Sequence, residues 1–347
     1  MMSVKWGVIG AGGIADRRTI PEGIVGSPMA ELVAVQDIDP ARIQAVADKY
    51  GVVKYETEYD LLNDPNVEAV YIATPNHLHH GQVLAAAAAG KHVLCEKPLA
   101  LTLPDCEEMV EACRDAGVKL GINFMMRFHA CHVKIKELVD AGDLGTPVMG
   151  RAELTCWYPP IPGAFRQDPA LGGGGAFADM GNHCVDLLEM FFGPTRAVSC
   201  FTGNLVQDYP AEDTAVALLE FESGAKGVVD ALFNVPDAAS RQALEVYGSK
   251  GSVVSFGTIG QESGGSLTAV IERGEKGYDA QQAREAAGAE TIEPEPVNIY
   301  AAHVTAFCEA IGNDTDPPIS GEDGIWSHKV IEACYESAKA GCMIDVE

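Results

Sequence analysis

The run Gly10-Ala11-Gly12-Gly13-Ile14-Ala15 directly follows the apolar stretch Trp6–Ile9 and opens a helical pattern. A G-x-G-x-x-A turn between a strand and a helix leaves few folds open. Gly10 permits the tight turn, and Gly12, with Gly13 and Ile14 beside it, lets the backbone approach a pyrophosphate. Ala15 allows close helix packing. Phosphates would sit on the helix N-terminus, where free N–H groups and the helix dipole favour negative charge. The run therefore reads as a dinucleotide-binding fingerprint at the head of a βαβ series.

The rest of residues 1–123 keeps that rhythm. Short apolar runs at 32–35, 69–73, 93–95 and 120–122 alternate with helical patterns at 41–49, 81–89 and 103–116. Strands alternating with helices predict a doubly wound parallel sheet, and runs without polar alternation fit strands covered on both faces. Beyond about residue 124 the pattern changes. One helix at 133–141 stops at Gly142, and alternating segments then follow at 148–157, 214–221, 227–233, 243–247 and 253–256. Ser223-Gly224 and Gly248–Gly251 are turn candidates, so residues 124–347 read as an α/β domain with a largely antiparallel sheet. Residues 257–299 read as loops and short edge strands. Two helices, near 300–311 and 322–340, close the chain.

At 347 residues the chain suits two domains with sizeable cores. A formal net charge of −26 disfavours nucleic acid and anionic lipid as partners. No apolar stretch is long enough for a membrane span. Met1-Met2-Ser3-Val4-Lys5 enters a strand without a basic, then apolar, leader. Ten cysteines without a Cys-x-x-Cys pair read as reduced thiols. The expected compartment is the cytoplasm.

Several side chains carry possible chemistry. Asp37 ends the second strand, where a carboxylate can take both adenosine ribose hydroxyls and repel a 2′-phosphate, favouring NAD over NADP. Asp39 is expected to cap the helix beginning at Pro40. Thr74-Pro75-Asn76-His77 follows the strand at 69–73 and should face the cofactor. His77, His79 and His80 lack matching cysteine or carboxylate spacing, so no metal is expected. Arg17 and Arg18 are phosphate candidates or plain helix residues. In Glu96-Lys97-Pro98 a cationic side chain ends a buried strand. Lys97 can act as acid or base, and Glu96 can serve structure or a cofactor ribose. Asp179 and His183 lie four apart behind a glycine run read as flexible, so a helix places them on one face, with Asp186 close to it. A carboxylate beside an imidazole can bind vicinal hydroxyls and pass a proton. The bland alternative is a capping Asp and a core His.

These residues resemble the Gfo/Idh/MocA family of oxidoreductases (glucose–fructose oxidoreductase, inositol dehydrogenase, rhizopine catabolism). The matching pieces are Gly10–Ala15, Asp37, Thr74–His77, Glu96-Lys97-Pro98, Arg127-Phe128, Gly172–His183 and Gly321–Gly324. The resemblance implies a Rossmann domain followed by a domain with a large open sheet that often makes oligomer contacts, here a dimer or tetramer. It implies a catalytic set of Lys97, Asp179 and His183, and it leaves open whether Lys97 or His183 is the base. Arg127 and Arg166 would touch substrate, and the proline-rich loop 157–166 would shape its pocket. The implied activity is NAD-dependent hydride transfer at a ring alcohol of a cyclitol, sugar or glycoside. The alternatives are a redox-neutral, glycoside-cleaving enzyme that retains NAD, and a non-enzymatic NAD-sensing paralogue.

Overall fold

A computed structural model describes residues 3–274 and 288–347. Two sheets organise it. The first contains β1 (Val4–Ile9), β2 (Ala30–Gln36), β3 (Val53–Tyr55), β4 (Ala69–Ile72), β5 (His92–Cys95) and β6 (Leu120–Ile122). All are parallel, in the order β3-β2-β1-β4-β5-β6. The order reverses between β1 and β4, which opens a crevice at their carboxyl ends. The apolar runs are buried on both faces because successive side chains alternate. Ile9, Val70, Ile72, Val93 and Cys95 join one core, while Trp6, Val8, Tyr71 and Leu94 join the other.

Local chemistry sets the helix ends. Asp39 accepts hydrogen bonds from the Ala41 and Arg42 amides, Pro40 begins the helix Pro40–Tyr50, and Gly51 ends it at φ +69°. Thr102 caps Leu103–Asp115, and Ser320 with Asp323 forms a capping box on Gly321–Ala340. The helix Ile299–Asn313 returns to the first sheet, where Val304, Phe307 and Cys308 enter the Trp6 core.

The second sheet contains β7 (Pro147–Thr155), β8 (Thr195–Gly203), β9 (Thr214–Phe221), β10 (Lys226–Leu232), β11 (Ala243–Gly248), β12 (Gly251–Phe256), β13 (Ser266–Ile271), β14 (Glu290–Ile292) and β15 (Ile344–Asp345). The strand order is β14-β13-β12-β11-β7-β10-β9-β8-β15. Every neighbouring pair is antiparallel except β7 and β10. Ser223-Gly224 joins β9 to β10, with Gly224 at φ +85°. Helices Ala130–Asp140, Asn182–Phe192 and Gly321–Ala340 contribute to the core on one face. The opposite face leaves Phe201, Leu218, Tyr247 and Phe256 exposed.

The region 257–299, expected to hold loops and short edge strands, contains β13 and the edge strand β14, and its residues 275–287 lie outside the described ones, as do Met1 and Met2. Among the described residues no helix is long and apolar enough to cross a membrane.

Candidate active site

The turn after β1 matches its glycines to their surroundings. Gly10 has φ +79°, and a Cβ there would lie 2.9 Å from Thr74 Cγ2 and 3.0 Å from the Ala73 carbonyl. A Cβ at Gly12 would collide with the Arg42 side chain, and Gly13, at φ +54°, faces open space. The helix Ala15–Ile24 that follows is wound with π-type spacing. Asp37 is buried at the end of β2. One carboxylate oxygen accepts from the Gly12 amide at 3.0 Å, the other from the Asp39 amide at 3.0 Å, and Arg42 Nη1 lies 3.6 Å away. A close, side-chain-free backbone beside a buried carboxylate fits a dinucleotide.

Thr74 and Pro75 border this turn, and Asn76 Nδ2 donates to the Gly172 carbonyl at 2.8 Å, tying it to the second half. His77 is exposed. His79 is buried, its ring nitrogens 3.0 Å and 3.1 Å from the carbonyls of Thr74 and Pro98, while His80 faces Glu108. No group of three His, Cys, Asp or Glu side chains among the described residues could hold a metal.

Lys97 leaves the end of β5 and is 9% exposed. Its Nζ donates to Asp179 Oδ1 and to the Asp179 carbonyl, each at 2.7 Å. Arg166 Nε donates to the same Oδ1 at 2.9 Å, with its guanidinium 4.4 Å from the centre of the Phe165 ring. Burial alone would raise the Asp179 carboxyl, but the Arg166 and Lys97 cations prevail and hold it well below the usual carboxylate range. Burial pushes the His183 imidazole well below its ordinary value, and Lys97 and Arg166 act the same way against Asp179. His183 is therefore neutral at pH 7, its ring edge-on to Phe124 at 5.8 Å. Glu96 also lines the cavity, its carboxylate accepting from the Tyr71 hydroxyl and from Asn123 Nδ2.

The glycine run before Asp179 is clamped rather than flexible. Glu212 accepts from the Gly175 amide at 2.8 Å, the Phe177 amide at 2.9 Å and the Tyr335 hydroxyl at 2.7 Å. The Tyr335 oxygen accepts from the Ala178 amide at 3.1 Å. Side chains at Gly174 or Gly175 would collide with Tyr335 or with the Glu212 backbone. The glycines permit this close packing, which fixes the π-type turn Phe177–Gly181 that carries Asp179.

One cavity of about 460 Å³ gathers these groups. Ile14, Arg17 and Arg18 line it from the fingerprint side, and Lys97, Arg166, Asp179 and His183 from the centre. Tyr158, Phe233, Gln242, Gln261 and Glu262 close it from the second half. Arg18 pairs with Glu22 at 2.7 Å and with Glu262 across the cavity. A larger space of about 700 Å³ at Gly142, Ser249 and Arg273 contains none of the catalytic candidates.

Arg127 and Asp186 lie elsewhere. Arg127 donates to Asp186 Oδ1 at 2.6 Å and 2.9 Å and to Asp323 at 3.1 Å, lining a separate cavity of about 390 Å³ with Trp326. Burial pushes the Asp186 carboxyl up to about 6, with Arg127 opposing. The guanidinium is thus held between two carboxylates, outside the cavity that gathers Lys97, Asp179 and His183. Glu212, Tyr335, Tyr158 and Gln242 carry no sequence signature, since each acquires its place only through distant contacts.

Fold and cavity together define a two-domain, dinucleotide-binding oxidoreductase. A model of the NAD-binding Rossmann oxidoreductase family matches residues 4–124, and that of the GFO/IDH/MocA C-terminal domain matches residues 132–254. The chain belongs to the Gfo/Idh/MocA family. It is 33% identical to the 1,5-anhydro-D-fructose reductase of Ensifer adhaerens, over 99% of this chain and 98% of that protein. It is 32% identical to the myo-inositol 2-dehydrogenase of Thermotoga maritima, over 92% of each. The crystal structure of the aldose-aldose oxidoreductase from Caulobacter crescentus superposes with a TM-score of 0.88 at 28% identity, covering 99% of both chains.

Proposed function

We propose that this protein is an NAD-dependent oxidoreductase acting on a ring CH–OH group of a cyclitol, sugar or glycoside. The observation that carries the reading is the convergence of Lys97, Asp179 and His183 on the cavity that the fingerprint turn also lines. Relatives named as a reductase of an anhydro sugar, a D-xylose dehydrogenase and a myo-inositol dehydrogenase agree with that substrate class.

NAD, when bound, supplies the hydride acceptor. The protein's own groups manage the proton and the orientation. Two of the three Lys97 Nζ donors are committed to Asp179, which leaves one for the reacting oxygen. His183, neutral and buried, accepts the hydroxyl proton. Asp179 holds Lys97 and Arg166 together through Oδ1, and its carbonyl takes a second bond from Lys97. The buried carboxylate of Asp37 disfavours a 2′-phosphate, so NAD is the expected cofactor over NADP. The open sheet face with Phe201 and Leu218 serves self-association.

The test is NADH formation across a panel of inositols, aldoses and glycosides. Turnover with NADH accumulation supports the reading. Glycoside cleavage without NADH accumulation would replace it with a redox-neutral cycle, and NAD binding without any turnover would replace it with a sensor.

A further inference from the structure

We propose that Gln242 is a specificity-determining residue that reads a substrate hydroxyl remote from the reacting carbon; this rests on the dehydrogenase reading above. Gln242 precedes β11 and has φ +46°, the left-handed region that a residue with a Cβ seldom occupies. Such outliers persist where surrounding structure over-determines them, and they cluster at ligand sites. The surroundings are visible here. The Gly257 amide donates to the Gln242 carbonyl at 3.1 Å, and Gly257 is itself left-handed at φ +70°. Gly260, at φ +150°, lies beside the Gln242 side chain, where a Cβ would make ordinary contact with its Oε1 at 3.6 Å.

Gln242 lines the cavity that holds Lys97 and His183, which Phe233 and Tyr158 also line. Among the described residues its amide makes no hydrogen bond within the protein. Most charged groups deep in the cavity are already engaged: Arg166 and Lys97 with Asp179, Arg18 with Glu262, and Glu96 with Tyr71 and Asn123, while Arg17 lies on the fingerprint side, where the cofactor would sit. A neutral amide carries an acceptor and two donors on one group. In a cavity that aromatic rings also line, it suits a neutral polyol, whose hydroxyl both donates and accepts, better than a sugar acid. A site built to bond a hydroxyl also rejects the analogue lacking it, because its own polar group is left unpaired.

The experiment compares wild type with Gln242→Leu and Gln242→Gly in steady-state kinetics with NAD. The probes are myo-inositol, D-xylose, D-glucose and 1,5-anhydro-D-glucitol, and then the monodeoxy analogues of the best of them. Gln242→Gly accepts the left-handed backbone, so it carries the measurement if Gln242→Leu fails to fold. Both variants should raise KM for the best polyol by roughly tenfold or more with kcat little changed, the pattern of a lost contact shared by ground and transition states. One deoxy analogue should show the same loss in wild type and no further loss in the variants. An unchanged KM in an active enzyme overturns this inference alone. A wild type inert toward every probe overturns the dehydrogenase reading and this inference with it.

Discussion

The two ends of the cavity are built by opposite means. At the cofactor end the main chain makes the site. Gly10, Gly12 and Gly13 bring the backbone close, and the Gly12 amide meets Asp37 only 25 residues away. At the chemical end side chains make it. Lys97 meets Asp179 across 82 residues, and Arg166 arrives from a third segment. A backbone site is spelled by contiguous small residues. A side-chain site is spread along the chain and needs a supporting layer, here Glu212 and Tyr335.

The largest effect should fall on the chemical end alone. Lys97→Ala should lower kcat by about 10²- to 10⁴-fold, as loss of a positioned proton-handling group does, while NAD affinity measured by calorimetry stays unchanged. An equal loss of NAD affinity would break the division between the ends. Asp179→Asn and His183→Asn should each damage the same unit, so the double variant should be little worse than the poorer single one in kcat/KM.

Stability should depend on pH through buried histidines on the flanking helices. Burial lowers His132 and His303 to about 3. Unfolded histidine protonates near pH 6.5, so between these values the unfolded chain holds the extra proton and the fold loses stability as pH falls. Each should cost about 2 kcal/mol at pH 5 relative to pH 8. Chemical denaturation of wild type and His132→Gln at both pH values checks this. An equal pH slope in the two proteins counts against it.

Glu212→Gln should cost about 1–3 kcal/mol of stability, because donors aimed at a carboxylate lose acceptors. It should also lower kcat while leaving NAD binding alone. A variant that melts early but turns over normally would show that the glycine clamp does not place Asp179. The smallest effect belongs to the cofactor end. Asp37→Ser should shift the NAD-to-NADP ratio of kcat/KM by about tenfold, or about 1.4 kcal/mol, without altering the pH profile of kcat.

Much of this was legible for a physical reason. Strands buried on both faces require unbroken apolar runs, and helix caps require specific side chains, so β1, β5, β6 and the Asp39 cap show in the chain itself. β3 is three residues long with an exposed Lys54 at its centre, too short for a pattern. β8 follows Gly193-Pro194 and its pairing slips between Thr195 and Ala197, which blurs the alternation. Lys97, Asp179 and His183 stood out because charge in apolar company is rare. The pairing of Arg127 with Asp186 and Asp323 was not legible, because spacing cannot say which carboxylate a guanidinium will meet. Gln242 was silent because the hydrogen bond that fixes its backbone comes from Gly257, on a later loop.

The return of the helix Ile299–Asn313 has a consequence for how the protein is made. Val304, Phe307 and Cys308 complete the core that holds Trp6, Val8, Ile20 and Ile24, and Trp6 meets the Phe307 ring at 5.6 Å. At about 5–20 residues per second, a ribosome that has finished the first sheet needs roughly ten to forty seconds more to make that helix. Throughout that interval the nascent chain presents an uncovered apolar face, a ready surface for chaperones or for aggregation. A fragment ending at residue 123 should therefore be insoluble on its own, and supplying residues 299–347 as a separate peptide should rescue it.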